Sequence, residues 1–247
     1  MSQKSQKDEI FAFRPVVWIT GASRGIGKEI AMQFASIGCK VALSSRSEKE
    51  LLKVEKEILQ LGGIAQSFPC DVIDTKSIVR TYNKIHHNFG DVDVLINNAG
   101  VTAFKTIEST TEKVFDTIIN VNLRAMFICI KSVLPSMKKK NSGFIFNILS
   151  VAAKKAFVKS GVYAASKAGG MMLAEVLREE VREHHIRVIN VFPGATATAM
   201  WNEKSKEKYS HRMMSPRSVA ESVLQAYRSP SDLVCEEIIL RPPLGDV

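Results

Sequence analysis

The feature that most constrains the fold is the alternation, along almost the whole chain, of short β-branched apolar runs with longer segments of helical periodicity. A parallel sheet covered by helices on both faces gives this pattern, because every strand is buried twice and every connection crosses back over the sheet. The pattern predicts strands at residues 16–20, 40–44, 64–68, 92–96, 143–149, 187–191 and 237–240. It predicts helices at 26–37, 48–61, 76–89, 112–139, 163–184 and 217–228. We therefore expect a single doubly wound α/β domain over residues 1–247, since no linker-like segment divides it.

The composition excludes several other classes of protein. The 247 residues are 45 % hydrophobic and 24 % charged, which excludes collagen, coiled coils and disordered chains. No uninterrupted apolar run approaches the ~18 residues of a membrane helix, so no membrane partner is expected. Residues 1–14 are predicted to be a polar lead-in, because no apolar stretch of a secretory signal follows its lysines. The four cysteines form no CxxC pair and lie near no histidine at ligand spacing, which indicates reduced thiols, a cytoplasmic location and no metal.

The net charge of +9 is compatible with nucleic acid, a membrane surface or an anionic small ligand. The densest basic cluster is the run from Lys138 to Lys140, which has no interleaved aromatic residues. A solvated helix end explains that run better than a nucleic-acid site does. We expect no nucleic-acid partner.

A glycine-rich turn, TGASRGIG at residues 20–27, follows the first predicted strand and precedes a helix. Its glycines, at positions 21, 25 and 27, would permit a sharp turn, bring bare backbone against a pyrophosphate and pack the helix closely on the sheet. The spacing differs from GxGxxG, and glycine-rich turns also occur between strands and helices that bind no ligand. The motif alone is therefore weak evidence for a dinucleotide site. The same residues fit the GxSxG elbow of an α/β-hydrolase with Ser23 as nucleophile, although an elbow on the first strand leaves no earlier loop for oxyanion donors.

The second predicted strand ends in Ser44, Ser45 and Arg46, about where an NAD site places a carboxylate for the adenosine ribose. No carboxylate occurs before Glu48. Arg46, together with Arg24 in the glycine turn, would instead offer two guanidinium forks to a ribose phosphate. NADP(H) is therefore the expected cofactor.

Tyr163 and Lys167 are one helical turn apart, on one face of a predicted helix, and Ser150 ends the strand before it. The carboxyl edge of such a sheet is where ligands bind. A free tyrosine titrates near ~10, so a base at neutral pH needs its phenolate stabilised by ~4 kcal/mol. An ammonium ~5 Å away supplies ~3 kcal/mol at an effective dielectric constant of ~20. A YxxxK pair alone is common by chance, and its position at this edge is what makes it a candidate acid/base.

The chain resembles the short-chain dehydrogenase/reductases of the compact type over residues 16 to about 240. The resemblance lies in the order and spacing of TGASRGIG at 20–27, Cys70-Asp71-Val72, Asn97-Asn98-Ala99-Gly100, Asn122, Ser150, Tyr163-xxx-Lys167 and Pro193-Gly194 with Thr198. It implies a Rossmann-type sheet of seven parallel strands in the order 3-2-1-4-5-6-7, and an oxidoreductase that transfers hydride between NADP(H) and a ketone or secondary alcohol.

The resemblance also implies roles for individual residues. Tyr163 would be the acid/base, Lys167 its partner and a nicotinamide-ribose ligand, Ser150 the group that orients the carbonyl, and Asn122 part of a proton relay. The other implied cofactor-binding residues are Gly21, Ser23, Arg24, Gly25, Ile26, Gly27 and Arg46 at the phosphates, Asp71 and Val72 at the adenine, Asn98, Ala99 and Gly100 at the ribose, and Pro193, Gly194 and Thr198 at the nicotinamide. Residues 199–215 lie where this fold places its substrate lid; Trp201, Met213 and Met214 there could line a pocket or be ordinary packing.

Three functions remain open at this stage. The general one is reduction of a small carbonyl compound. The chain resembles 3-oxoacyl-carrier-protein reductases most, but its last twelve residues, EEIILRPPLGDV, lack the Gly-Gly pair usual in their tails, which puts an acyl-carrier partner in doubt. An NADP-binding regulator without turnover is the alternative from another class.

The predicted helices 112–139 and 163–184 carry apolar residues on more faces than one stripe against the sheet would use. The first contains ten large apolar residues between positions 118 and 134. The second offers small or pliable residues, from Ala164 to Met172, for close approach. We therefore expect a symmetric dimer or tetramer formed through these two helices.

Overall fold

Seven parallel strands form one sheet in the computed structural model, which describes residues 14–246. The strands are β1 (Val16–Thr20), β2 (Lys40–Ser44), β3 (Ile64–Ser67), β4 (Val94–Asn97), β5 (Gly143–Ile148), β6 (Ile186–Pro193) and β7 (Glu237–Leu240). Their order, β3-β2-β1-β4-β5-β6-β7, confirms the predicted topology. Of the predicted polar lead-in, only Arg14 lies among the described residues.

Eight α-helices connect or follow these strands in the described part of the chain. They are α1 (Gly25–Ser36), α2 (Glu48–Gln60), α3 (Thr75–Phe89), α4 (Glu112–Ile119), α5 (Ala125–Lys140), α6 (Gly161–Val181), α7 (Glu203–Tyr209) and α8 (Pro216–Tyr227). Ser215 caps α8 by accepting a hydrogen bond from the Ser218 N–H, and Pro216 occupies the first turn. Two predicted strands differ most from the structure: β4 begins at Val94 and not at residue 92, and β6 extends to Pro193 because that residue still pairs with Leu240 on β7.

The sheet separates two hydrophobic layers. Alternate residues of β1 face opposite sides: Trp18 belongs to the layer under α3, α5 and α6, and Ile19 to the layer under α1, α2 and α8. Both side chains are fully buried. Helices on both faces leave the carboxyl edge of the sheet as the place where loops from several strands meet.

The predicted helix 112–139 is wrong in one respect. A π-helical turn, Asn120–Arg124, interrupts it between α4 and α5. Such a turn widens the helix by one residue, and it commonly occurs where a side chain must be redirected. Here it places the Asn122 side chain against the backbone of Val101.

The same segment, Glu112–Lys140, is long and apolar enough to span a membrane by length and composition, with a mean hydropathy of 1.5 in its most apolar window. It packs on β4, β5 and the neighbouring helices, and 44 % of that window is buried inside the protein. A core helix passes the same test, so this is weak evidence for a membrane span.

Candidate active site

A cleft of about 1350 Å³ opens at the carboxyl edge of the sheet. It brings together residues from turns that are far apart in the sequence. The predicted site residues that line it are Gly21, Ser23, Arg24, Gly25, Ile26, Arg46, Asp71, Val72, Asn98, Ala99, Gly100, Ser150, Tyr163, Lys167, Pro193, Gly194 and Thr198. Gly27 and Asn122 are the two predicted residues that do not line it.

Ser150, Tyr163 and Lys167 meet in this cleft. Ser150 lies two residues beyond the end of β5, and its hydroxyl hydrogen-bonds the phenol of Tyr163 on the first turn of α6. Lys167 lies one turn further along α6, 4 % exposed, and its Nζ donates to the carbonyl of Ile148 at 2.8 Å. The same Nζ is 5.8 Å from the centroid of the Tyr163 ring. The ammonium, the phenol and the serine hydroxyl thus share one end of the cleft.

Burial is the main influence on the pKa values of Tyr163 and Lys167. It raises the pKa of Tyr163 above its usual value of 10, an effect that the hydrogen bond from Ser150 partly offsets. It also lowers the pKa of Lys167 to about 8. The expected lowering of the Tyr163 pKa by Lys167 is therefore not what the structure shows. The cause is that both groups are desolvated. Near pH 7 the phenol is protonated and the lysine mostly charged, an arrangement suited to donating a proton.

We expect Lys167→Met to stabilise the fold at pH 7. A fall of the Lys167 pKa from 10.5 to about 8 costs the folded state about 3 kcal/mol at ~1.36 kcal/mol per pKa unit. Leaving the Ile148 carbonyl without its donor offsets about 1–3 kcal/mol of that gain. Between pH 8 and 10.5 the folded lysine has lost its proton and the unfolded one has not, so wild-type stability rises with pH in this window.

Urea unfolding of both proteins at pH 7 and at pH 10 measures the effect. The stability advantage of the variant should shrink or reverse at the higher pH, because methionine does not titrate. An advantage that grows with pH would show that burial does not lower the pKa of Lys167.

Asn122 lies behind the cleft, in the π-helical turn. Its Oδ1 accepts from the Val101 N–H at 2.8 Å, while its Nδ2 donates to the Val101 carbonyl at 2.9 Å and to Ser166 Oγ at 3.0 Å. These bonds hold the loop after β4 against α6. A methyl group on Gly100 would lie 3.6 Å from Asn122 Oδ1 and 3.5 Å from Lys167 Nζ, so the loop approaches both side chains closely.

The glycine turn contains backbone conformations and close contacts that favour glycine. Gly21 and Gly25 adopt φ values of +66° and +56°, which side chains disfavour. Gly27 faces away from the cleft: a Cβ there would lie 2.4 Å from both the Gly21 carbonyl oxygen and Asn98 Nδ2. Its role in the structure is to let α1 pack against the loops that end β1 and β4.

The N-terminus of α1 is open toward the cleft. Arg24 precedes it without a side-chain cap, and the first turn contains no acidic residue, so its N–H groups suit an anion. Arg24 and Arg46 are exposed and line the cleft there. Neither forms an ion pair with any residue between 14 and 246. These features fit a phosphorylated dinucleotide.

The hydrolase alternative lacks its base. Ser23 lines the cleft, but no histidine among the described residues does. Nor does the described chain contain a group of three or more His, Cys, Asp or Glu residues that could hold a metal. All four cysteines are free, three of them buried.

Sequence reasoning missed a row of three buried asparagines directly below the cleft. Asn97, Asn147 and Asn190 occupy the same register on β4, β5 and β6. Asn97 Nδ2 donates to Asn147 Oδ1 at 2.9 Å, and Asn147 Nδ2 donates to Asn190 Oδ1 at 3.2 Å. The available signal was an asparagine inside each of the predicted strands 143–149 and 187–191, and a third one directly after the predicted strand 92–96. The chain of amides ties together the strands that carry Asn98, Ser150 and Pro193.

The end of the cleft away from Arg24 and Arg46 is also lined by larger side chains. The Trp201 ring centroid lies 5.6 Å from that of Phe104, so the segment 199–215, which the sequence predicts to be a lid, touches the loop after β4. Met200, Tyr209 and Asp246 also line this end, whereas Met213 and Met214 do not. Met214 packs instead on the hydrophobic layer under α1, α2 and α8.

Comparisons with known proteins agree with this geometry. The family described as short chain dehydrogenase matches residues 15–209. A sepiapterin reductase from Chlorobaculum tepidum is 38 % identical over 94 % of this chain and 98 % of its own. A 3-oxoacyl-[acyl-carrier-protein] reductase from Thermotoga maritima is 33 % identical over 91 % and 94 %. The crystal structure of a metagenomic short-chain oxidoreductase in complex with NADP superposes with a TM-score of 0.82 at 32 % identity, covering 92 % of this chain and 96 % of that one.

Proposed function

The chain belongs to the short-chain dehydrogenase family, and from that premise we propose that it is an NADP(H)-dependent oxidoreductase interconverting a ketone and a secondary alcohol. The observation that carries the proposal is the meeting of Ser150, Tyr163 and Lys167 at one end of a cleft whose other end offers Arg24 and Arg46. The groups that we propose for proton transfer and for phosphate binding thus line one cleft at the carboxyl edge of the sheet.

The cofactor would lie along the cleft with its phosphates at Gly21, Ser23, Gly25 and the start of α1. Arg24 and Arg46 would hold a ribose phosphate, which favours NADP(H) over NAD(H). Asp71 and Val72 would contact the adenine, and residues 98–100 the ribose. Pro193, Gly194 and Thr198 would border the nicotinamide. Bound there, the cofactor supplies the hydride.

The protein would supply the proton and the position of the carbonyl. Ser150 and Tyr163 donate to the same carbonyl oxygen, and Tyr163 gives up its proton as the alkoxide forms. The raised pKa of Tyr163 suits a proton donor in the reduction direction. Lys167, mostly charged at neutral pH, stabilises the phenolate left behind. Asn122 would act through the loop it holds, as a positioning residue.

Two substrate classes are favoured by the relatives. A small soluble carbonyl compound, with sepiapterin as the first candidate, agrees with the 38 % identical relative and with a C-terminal tail unlike that of carrier-protein reductases. A 3-oxoacyl group on a carrier protein agrees with the 33 % identical relative. NADPH oxidation followed at 340 nm with sepiapterin, small ketones and acetoacetyl carrier protein separates the two. Cofactor binding without turnover of any of them would favour the regulator instead.

We also propose that the protein is a homo-oligomer. Large apolar side chains remain exposed on α4, α5 and α6: Phe115 (47 %), Phe127 (45 %), Met172 (55 %) and Val176 (51 %). A second copy that covers these side chains would remove their apolar surface from water and so stabilise the assembly. The free cysteines agree with a reducing compartment, and we propose the cytoplasm.

We expect the double variant Phe127→Arg/Met172→Arg to dissociate the oligomer, because facing copies would then bring like charges together in a desolvated contact. Light scattering at micromolar concentration should give the mass of a dimer or tetramer for the wild type and of a monomer for the variant. Leu59→Arg, a matched change of a 51 % exposed residue on α2, should leave the mass unchanged. A monomeric wild type would contradict the proposal.

A further inference from the structure

The C-terminal tail (residues 241–246) folds back to the cleft, and its residue Asp246 forms part of the cleft wall. Asp246 lines the substrate end of the cleft together with Trp201 and Tyr209 from the lid (residues 199–215). Its side chain is only 12 % exposed. The tail leaves β7 beside Gly194, where a Cβ would come within 3.2 Å of Pro242, so it packs tightly from its first residues.

Among residues 14–246, few polar contacts hold the tail in place, and one residue of the lid provides two of them. Arg212 Nη2 donates to the Leu244 carbonyl at 2.9 Å and to the Asp246 carbonyl at 3.1 Å. The Asp246 carboxylate also accepts from Lys155 at 3.0 Å and lies 3.5 Å from Arg241. Arg212 ends the 3₁₀ turn that follows α7, so it links the lid directly to the tail.

This junction is incompletely satisfied. Asp246 Oδ1 and Arg212 Nε are both buried, and neither has a hydrogen-bond partner within residues 14–246. A buried polar atom without a partner weakens the arrangement that contains it. Within residues 14–246, the junction of lid and tail thus depends on a small number of bonds and contains two unpaired groups, so it should be sensitive to the loss of Arg212.

We propose that Arg212 is a positioning residue that clasps the lid to the C-terminal tail, and that this clasp closes the substrate end of the cleft and must open for product to leave. Arg212 acts through Trp201, Tyr209 and the tail, and it is not among the residues that line the cleft. The kinetic part of this proposal rests on the proposed carbonyl reduction, whereas the structural part does not.

Tryptophan fluorescence tests the clasp without any substrate. The chain has two tryptophans. Trp18, on β1, is fully buried in the core, whereas Trp201 lines the cleft beside Phe104. Quenching by acrylamide therefore reports mainly on Trp201. Arg212→Ala should raise the quenching constant, and Arg212→Lys should restore part of the protection because lysine keeps one charged donor. Asp246→Asn, which retains the backbone carbonyl, should have a smaller effect in the same direction.

Steady-state kinetics test the role in the reaction. Arg212→Ala should raise the KM for the carbonyl substrate about tenfold, the loss expected for charge-assisted hydrogen bonds, with kcat unchanged or higher. The Kd for NADPH should not move, since Arg24 and Arg46 lie at the other end. The control is Arg217→Ala, which removes an equal charge from an exposed i,i+4 pair with Glu221 on α8. That variant should match the wild type.

Each outcome bears on the proposal. Unchanged quenching in Arg212→Ala and Asp246→Asn would overturn the clasp, whatever the kinetics. Raised quenching with an unchanged KM, or a fall in kcat at constant KM, would overturn the positioning role and leave the proposed reaction intact. Absence of any carbonyl reduction by the wild type would refute the proposed function and the positioning role, and the quenching result would still decide the clasp.

Discussion

Tyr163→Phe should lower kcat/KM for carbonyl reduction by about 10²–10⁴-fold, the range that general acid–base catalysis contributes. The phenol is the group that would protonate the alkoxide, and its raised pKa keeps the proton available at neutral pH. Phenylalanine preserves the ring against Lys167 and removes only the hydroxyl that hydrogen-bonds Ser150. The measurement is NADPH oxidation over a range of carbonyl concentrations.

Cofactor affinity shows whether Tyr163→Phe loses activity because a proton donor is missing or because the protein is misfolded. NADPH titrated into Tyr163→Phe should bind within a few-fold of wild type, because the phosphate-binding end of the cleft is untouched. Tyr82→Phe is a matched control. The phenol of Tyr82, on α3, hydrogen-bonds Ser136 on α5, and neither residue lines the cleft. Near wild-type turnover by Tyr163→Phe would mean that the proton comes from another group.

The double variant Arg24→Ala/Arg46→Ala should weaken NADPH binding by about 10²-fold or more. A hydrogen bond to a charged group contributes ~1.5–3 kcal/mol, and ~1.4 kcal/mol is a factor of ten in affinity. Both side chains are exposed, so the lower end of that range applies to each. The affinity for NADH, which lacks the ribose phosphate, should change little. Isothermal titration with both cofactors measures the ratio.

Added salt should reduce the NADPH affinity of the wild type more than that of the variant, since exposed charge pairs are screened. The double variant Arg217→Ala/Arg228→Ala removes the same net charge from α8 and the residue after it, away from the cleft, and should retain NADPH affinity. Equal losses of NADPH and NADH binding in Arg24→Ala/Arg46→Ala would indicate a general disturbance of the glycine turn and contradict recognition of the phosphate.

The sheet and most of the cleft could be predicted because their signals are local in the sequence. The β-branched runs of β1 and β2 are bounded by turn residues, and both strands lie where the sequence predicts them. Motifs that follow strands meet at one edge for a topological reason, which is why Gly21, Ser150 and Pro193 line one cleft.

What could not be predicted depends on contacts between distant segments. The π-helical turn around Asn122 arises from bonds to Val101, which no periodicity reveals. The row formed by Asn97, Asn147 and Asn190 requires the strand register. Arg212 and Asp246 are 34 residues apart, and nothing in either sequence neighbourhood signals that one binds the backbone of the other. The pKa of Lys167 likewise depends on burial, which spacing on a helix does not determine.

Transfer of deuterium tests the central claim most directly. NADPH deuterated at C4 on one face or the other is incubated with the protein and the carbonyl panel of sepiapterin, small ketones and acetoacetyl carrier protein, and the alcohols are analysed by mass spectrometry. Hydride transfer in a fixed cleft predicts deuterium on the carbinol carbon of one product from one face of the cofactor only. No deuterated alcohol above the level of Tyr163→Phe, from either face and with every member of the panel, would contradict the account.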